Sequence, residues 1–319
     1  VSQRNGHYAY YPGCSLQHSA HAYDTSTKRV GEILGLQFQE VEDWNCCGAT
    51  EYFSINALPA YSLVARNLSL AARQKTGELV APCSACYLNL RKTDRHMAEH
   101  ERLNAQVNQA LAAGGLHYDP GTMRVRHLLD VIVEDVGYEA VAEKVKKPLH
   151  GLRVAPYYGC LIVRPYNEDD ANPEYPTHLD KLMEALGATV VDFPMKAHCC
   201  GGHMTQITEE TAFELLRRIL HNAAEYNADM IVTVCPMCQL NLDAYQSNVN
   251  KMFGTDFNIP VLFFTQMMGL AFGLKPKEVG IGTEIVSAKE ALNKIGKEEP
   301  KRRKPKRRDK KALPMPSPQ

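Results

Sequence analysis

"ELVAPCSACYLNL", residues 78–90, passes from an apolar extended run through a Cys-x-x-Cys pair into a helical stretch, and "DMIVTVCPMCQLNL", residues 229–242, does the same. Working outward, the likeness continues. "WNCCGAT" (44–50) is answered by "AHCCGGH" (197–203), "YYPGC" (10–14) by "YYGC" (157–160), and "EILGL" (32–36) by "EALGA" (184–188). In the first half 31 residues separate Cys14 from Cys46-Cys47, and 35 more precede Cys83-x-x-Cys86; in the second, 38 and 34 residues separate Cys160, Cys199-Cys200 and Cys235-x-x-Cys238. All ten cysteines fall in these two sets of five, so the chain is an internal duplication.

Each half alternates short extended runs with helical ones. Strands are expected at 8–13, 36–41 and 78–82, with helices at 18–34, 54–75 and from 84; the second half repeats this with strands at 152–158, 188–193 and 229–234 and helices at 177–186, 208–226 and from 236. Fourth strand–helix units follow at 123–136 and 259–273, and 99–115 reads as an inserted amphipathic helix. Such alternation predicts an α/β fold: two duplicated Rossmann-like domains with parallel sheets covered on both faces. The expected boundaries are 1–148, 149–275 and a tail, 276–319. Every cysteine segment follows a strand, which predicts sites at the C-terminal strand edges, where open parallel sheets bind ligands.

With 45% hydrophobic residues, 319 residues suffice for two cores. The longest apolar stretch, 259–274, is shorter than the roughly 20 residues a membrane-spanning helix needs. No opening segment reads as a secretion signal, so a soluble, cytoplasmic chain is expected, with membrane association only through partners. Equal numbers of basic and acidic residues, 36 each, hide an asymmetry. "KEEPKRRKPKRRDKK" (297–311) gathers ten Lys/Arg against three acids, leaving an acidic body. The tail lacks apolar periodicity and reads as disordered when free. It is a candidate contact for an acidic partner or a membrane surface; no nucleic-acid-binding fold accompanies it.

Five thiols per half can serve four purposes. Disulfides need an oxidising compartment that nothing indicates. Buried structural cysteines would not fall into two matching sets. Structural zinc closes with four ligands, leaving a thiol over. An iron–sulfur centre suits sulfur-only ligation and is favoured. Cys83 and Cys235 each precede a helix, whose N-terminus is expected to lower a thiol pKa. Gly48 and Gly201 permit the sharp turn by which two adjacent cysteines reach one centre. Five thiols without ferredoxin spacing leave two alternatives: a spare redox thiol, or a cluster of unusual geometry. Asn89 and Asn241 recur in both halves and are expected to bond backbone near each site. Among His18, His21, His198 and His203, the last stands just past a Gly-Gly turn and is the first candidate for a catalytic proton donor.

Two copies of Cys-x(31–38)-Cys-Cys-Gly-x(33–34)-Cys-x-x-Cys resemble the cysteine-rich domains of the heterodisulfide reductase B-subunit family, to about residue 275. The resemblance implies two noncubane [4Fe-4S] clusters, one on Cys14, Cys46, Cys47, Cys83 and Cys86, the other on Cys160, Cys199, Cys200, Cys235 and Cys238. It implies reduction of a disulfide placed between the clusters, or thiol oxidation in reverse, on a coenzyme heterodisulfide or another disulfide, thiol or lipoyl carrier. Electrons would come from the family's ferredoxin-like C-type partner and, through it, its flavin-containing A-type partner, since the chain has neither ferredoxin nor dinucleotide motifs. The competing reading is an electron-transfer or docking subunit of another oxidoreductase, of the succinate dehydrogenase or 2-hydroxy-acid type.

Overall fold

The structure, a computed structural model, describes residues 6–49, 52–166 and 172–297. Two four-stranded sheets are built in the same way. In the first, β1 (His7–Tyr10), β2 (Gln37–Glu40), β3 (Glu78–Ala81) and β4 (Arg124–His127) lie in the order β2-β1-β3-β4, all parallel. In the second, β5 (Arg153–Tyr157), β6 (Thr189–Val190), β7 (Met230–Thr233) and β8 (Val261–Phe263) lie in the order β6-β5-β7-β8, again all parallel. The duplicated Rossmann-like architecture is therefore present. Central β7 is buried along its whole length, whereas edge strand β2 alternates between exposed and half-buried residues. That contrast is what cover on both faces and on one face, respectively, demands.

Helices fill the crossovers. In the first half they are α1 (Gly13–Gln17), α2 (His21–Leu34), α3 (Tyr52–Ile55), α4 (Ala57–Ala72), α5 (Ser84–Glu99), α6 (Glu101–Ala112), α7 (Leu128–Val131) and α8 (Tyr138–Glu143). The second half has α9 (His178–Ala185), α10 (Glu209–Glu225), α11 (Pro236–Ala244), α12 (Gln246–Phe253), α13 (Phe264–Ala271) and, near the end of the described chain, α14 (Lys289–Leu292). Along α10 the buried residues Ala212, Phe213, Leu216, Ile219, Leu220 and Ala223 recur at three- and four-residue spacing, the stripe that seats a helix on a sheet. Burial of each large apolar side chain contributes about 1.5–3 kcal/mol. α2 stops at Gly35, whose φ of 75° lets its N–H close on the carbonyls of Gly31 and Glu32.

Two expectations need correction. The strand expected over 8–13 ends at Tyr10, and a short α1 follows it with Cys14 in its first turn; the helix expected over 18–34 forms as α2, from His21. The disordered tail from 276 begins too early. Residues 276–297 are ordered, with Val279, Ile281, Val286, Ala288 and Ala291 buried and the Asp243 carboxylate accepting the N–H groups of Ile285 and Val286 at 2.8 and 2.9 Å. Those spaced apolar residues carry no regular period, yet they bury against a surface already formed. The basic run beyond 297 lies outside the described residues.

The halves meet through α2, which packs on α13. The Tyr23 ring stacks on Phe263 at 4.3 Å and 5°, and Ser26 Oγ lies 2.7 Å from Thr265 Oγ1. Gly280 of the ordered tail lies against Ala22 of α2, with no room for a side chain.

Candidate functional site

In the order β2-β1-β3-β4 the connections leave β1 and β3 in opposite directions, which opens a crevice at their C-terminal ends. The first five cysteines gather there. Cys14 stands in the first turn of α1 beyond β1, Cys46 and Cys47 in the loop beyond β2, Cys83 at the N-cap of α5 and Cys86 in its first turn. Cys46 Sγ lies 3.9 Å from Cys14 Sγ, and Cys47 Sγ lies 3.2 Å from Cys86 Sγ. The adjacent pair thus divides its work. One member stays at the exposed mouth with Cys14, and the other turns inward to Cys86. Gly48 carries the turn with a φ of 63°. Hydrogen bonds clamp this loop: Tyr11 donates its phenol to the Asn45 carbonyl at 2.6 Å, Asn67 donates to the same carbonyl at 2.8 Å and accepts the Asn45 N–H at 2.9 Å, and Asn89 donates its amide to the Cys47 carbonyl at 3.0 Å.

The second half repeats the arrangement. Cys200 Sγ lies 3.6 Å from Cys238 Sγ, Gly201 turns the loop at φ 88°, and Tyr157 donates to the His198 carbonyl at 2.6 Å. Asn241 donates to the carbonyls of Cys200 and Gly202 at 3.2 and 2.8 Å. Asn89 and Asn241 therefore hold backbone, as expected. Cys199 is exposed and Cys160 half-exposed, so this site also opens to solvent.

None of the ten cysteines is joined in a disulfide. Crowding shifts their pKa values. In each half the exposed first member of the pair is lowered: hydrogen bonding from Cys14 lowers the pKa of Cys46, and hydrogen bonding from Cys160 pulls Cys199 down to about 6. Their partners Cys14 and Cys160 are pushed up by the same bonds and by burial. The expected helix effect holds for Cys235, lowered by Cys238, Cys83 and backbone N–H groups of α11, but not for Cys83, which the Cys235 contact drives upward. Five thiolates in one crevice repel unless a cation offsets them. A donor set of unpaired sulfurs fits an iron–sulfur group. Gly13 and Gly159 fit it too, since a β-carbon at either position would crowd the sulfur of Cys86 or Cys238. Among the described residues no group of three His, Cys, Asp or Glu side chains is arranged to hold a single metal ion.

The two sets adjoin at Cys83 and Cys235, each of which shifts the other's pKa across the junction of the halves. Above them Tyr23, fully buried, places its hydroxyl 3.2 Å from the Pro82 carbonyl and 3.2 Å from the Val234 carbonyl, the residues just before these two cysteines. His127 is buried beside them, its Nδ1 accepting the Leu129 N–H at 3.1 Å and its Nε2 lying 3.5 Å from Ser84 Oγ. Burial lowers its pKa to about 4.

Sequence reasoning missed Tyr23 and His127. His127 could have been found, because it caps α7 as Phe263 caps α13, the same register of the fourth repeat unit. It also missed Arg164, whose guanidinium acts on Cys199, and Lys92, which lies 3.6 Å over the Phe53 ring and feels Cys47. His203 sits half-buried in the 3-10 turn Gly202–Gln206 just past the second pair. His18, His21 and His198 are exposed.

The family described as cysteine-rich domain, CCG, matches residues 8–91 and again 154–243. The 8-methylmenaquinol:fumarate reductase membrane anchor subunit of Wolinella succinogenes is 37% identical over 286 residues, 88% of this chain and 97% of that protein. The B subunit of the ferredoxin:CoB-CoM heterodisulfide reductase of Methanosarcina mazei is 31% identical, covering 89% and 95%. A protein of Archaeoglobus profundus, described as similar to the heterodisulfide reductase B subunit, is 30% identical, covering 90% and 97%. A crystal structure of a hypothetical protein from Helicobacter pylori shares the fold with a TM-score of 0.71 at 16% identity, over 89% of this chain; the chain spans 52% of that one.

Proposed function

Because the chain belongs to the heterodisulfide reductase B-subunit family, with the cysteine-rich CCG domain present twice, we propose that it is the catalytic iron–sulfur subunit of a heterodisulfide-reductase-like complex. In this reading each unit, 1–148 and 149–275, carries one noncubane [4Fe-4S] cluster. Cys14, Cys46, Cys47, Cys83 and Cys86 hold the first; Cys160, Cys199, Cys200, Cys235 and Cys238 hold the second. When bound, such clusters supply electrons one at a time, and a pair matches the two electrons of RSSR′ + 2 e⁻ + 2 H⁺ → RSH + R′SH. The observation that carries the reading is that one buried hydroxyl, Tyr23's, bonds the carbonyls directly before Cys83 and Cys235, so the two cysteine loops lie side by side.

The chain's own residues do the rest. Tyr11, Tyr157, Asn89 and Asn241 hold the paired cysteines in their turned conformation. The exposed thiols of Cys14, Cys46 and Cys199 mark where a small disulfide approaches. Arg164 donates to the Ala197 carbonyl, two residues before Cys199, where its cation would favour a nascent thiolate, and His203 is the proposed proton donor. Electrons arrive through the ferredoxin-like C-type partner and the flavin-containing A-type partner. The location is cytoplasmic, and the basic run beyond 297 is a contact for an acidic partner or membrane surface. Anaerobically purified complex is expected to contain iron and sulfide and to reduce a small asymmetric disulfide with a viologen donor. Cys200→Ser is expected to abolish this; turnover that survives the substitution removes the reading.

One observation favours a second reading. The Wolinella relative, named as the membrane anchor of a menaquinol:fumarate reductase, is 37% identical and matched over 97% of its length. The chain would then pass electrons between a quinol and a fumarate- or succinate-converting complex. Among the described residues no helix is long and apolar enough to cross a membrane, so attachment would fall to partners or to the basic run. A complex that turns over quinol and fumarate but no disulfide selects this reading.

A further inference from the structure

We propose that Tyr23 is a positioning residue whose single hydroxyl gauges the distance between the two sulfur sites. Its phenol lies 3.2 Å from the Pro82 carbonyl and 3.2 Å from the Val234 carbonyl, 211 residues away in the chain. Those carbonyls belong to the residues directly before Cys83 and Cys235, at the ends of the two central strands. One O–H has one proton, so the two acceptors share it. Displacement of either loop lengthens one arm of the shared bond, and the loops are held jointly rather than separately.

The ring is fixed independently of its hydroxyl. It stacks on Phe263 at 4.3 Å and meets Phe264 edge-on at 6.0 Å, both from the second half. One turn further along α2, the Ser26–Thr265 hydrogen bond of 2.7 Å anchors the same helix to α13. The hydroxyl is therefore aimed by packing, and its removal leaves the aim intact. A short turn over 18–20 joins α2 to α1, which carries Cys14, so the helix that joins the halves is next in sequence to a cysteine segment. A consequence for electron exchange rests on the proposed two-cluster function; the clasp itself does not.

The test is Tyr23→Phe in the full-length chain, which keeps the ring, with Thr265→Val as a control that removes a bond between the halves away from the cysteine loops. In Tyr23→Phe, amide hydrogen exchange over 82–87 and 234–239 is expected to rise together by about 5-fold, the factor one hydrogen bond contributes to a local opening. Exchange over 45–49 and 198–202 stays unchanged, and Thr265→Val leaves all four segments at wild-type rates. In cluster-loaded protein the magnetic interaction between the two clusters is expected to change in Tyr23→Phe alone. Unchanged exchange at both loops, or an equal rise in Thr265→Val, overturns the proposal and makes Tyr23 a packing residue. Should the wild-type chain bind no clusters, the two-cluster function falls, and the exchange measurement still decides the clasp.

Discussion

Gly13 and Cys86 stand so close that a β-carbon on the glycine would lie 2.8 Å from the Cys86 sulfur, and Gly159 stands at the same 2.8 Å from Cys238. Both glycines also hold left-handed backbone, with φ of 72° and 69°, which a side chain strains by about 1–3 kcal/mol. Gly13→Ala and Gly159→Ala are each expected to displace one sulfur set and spare the other. Each variant should retain about half of the wild-type iron, and the double variant close to none, as read by iron and acid-labile sulfide analysis.

Lys196 is buried, with its ammonium on the Asp180 carboxylate, 4.1 Å over the Tyr175 ring, and its own carbonyl accepting the Tyr158 N–H at 2.9 Å. It thereby braces the loop that leads to Cys199. Lys196→Met leaves a half-enclosed carboxylate without its cation and is expected to cost about 3–5 kcal/mol in urea unfolding. Lys196→Met with Asp180→Leu should recover most of the loss.

Asn241 satisfies two loop carbonyls around the second cysteine pair from a buried position. Asn241→Ala leaves both without that donor and is expected to lower stability by about 1–3 kcal/mol. Asn89→Ala should act alike on the first pair. Thermal unfolding of the two variants measures the cost, and slower iron uptake by the affected half accompanies it.

His96 links the halves at the surface. Its Nδ1 lies 2.7 Å from the Tyr61 hydroxyl, and its Nε2 lies 3.3 Å from the hydroxyl of Tyr166, which reaches over from the second half. Burial, with Lys92, His100 and Arg95 nearby, lowers its pKa from the ordinary 6.5. The folded state therefore prefers the neutral ring. Its contribution is complete above pH 6.5 and is lost as pH falls through the lowered value. Urea midpoints of wild type should drop between about pH 7.5 and 5.5 by more than those of His96→Gln.

Exposure orders the thiols. In iron-free but folded protein, Cys46 and Cys199, exposed and lowered in pKa, are expected to alkylate first and Cys14, exposed but raised, after them, while the buried Cys47, Cys83, Cys86, Cys200, Cys235 and Cys238 wait for denaturant. Peptide mapping by mass spectrometry reads the order. Uniform labelling of all ten contradicts the clamped loops.

The two sheets could be read from residues 78–90 and 229–242 and their flanks, because strand and helix periods are local and a duplication states each of them twice. The placement of Cys14, Cys46 and Cys83 beyond successive strand ends followed from the same pattern. Other features had no local mark. The short α1 that carries Cys14 is one turn long, too brief to show a helical period of its own. Order in 276–297 depends on burying Val279, Ile281 and Val286 against surfaces made by other elements, so its own composition read as tail.

Chemistry follows the same division. That the thiols come as two equal sets at matching strand ends is written in covalent spacing, which folding cannot alter. That the sets adjoin at Cys83 and Cys235, under one tyrosine hydroxyl, came only with packing. An apolar period says which face of α2 is buried, not what it is buried against; Tyr23 finds Val234, 211 residues away, only once α2 has docked on α13. The same docking raises the pKa of Cys83 and lowers that of Cys235, since each shift depends on the neighbours a sulfur meets rather than on its place in the chain.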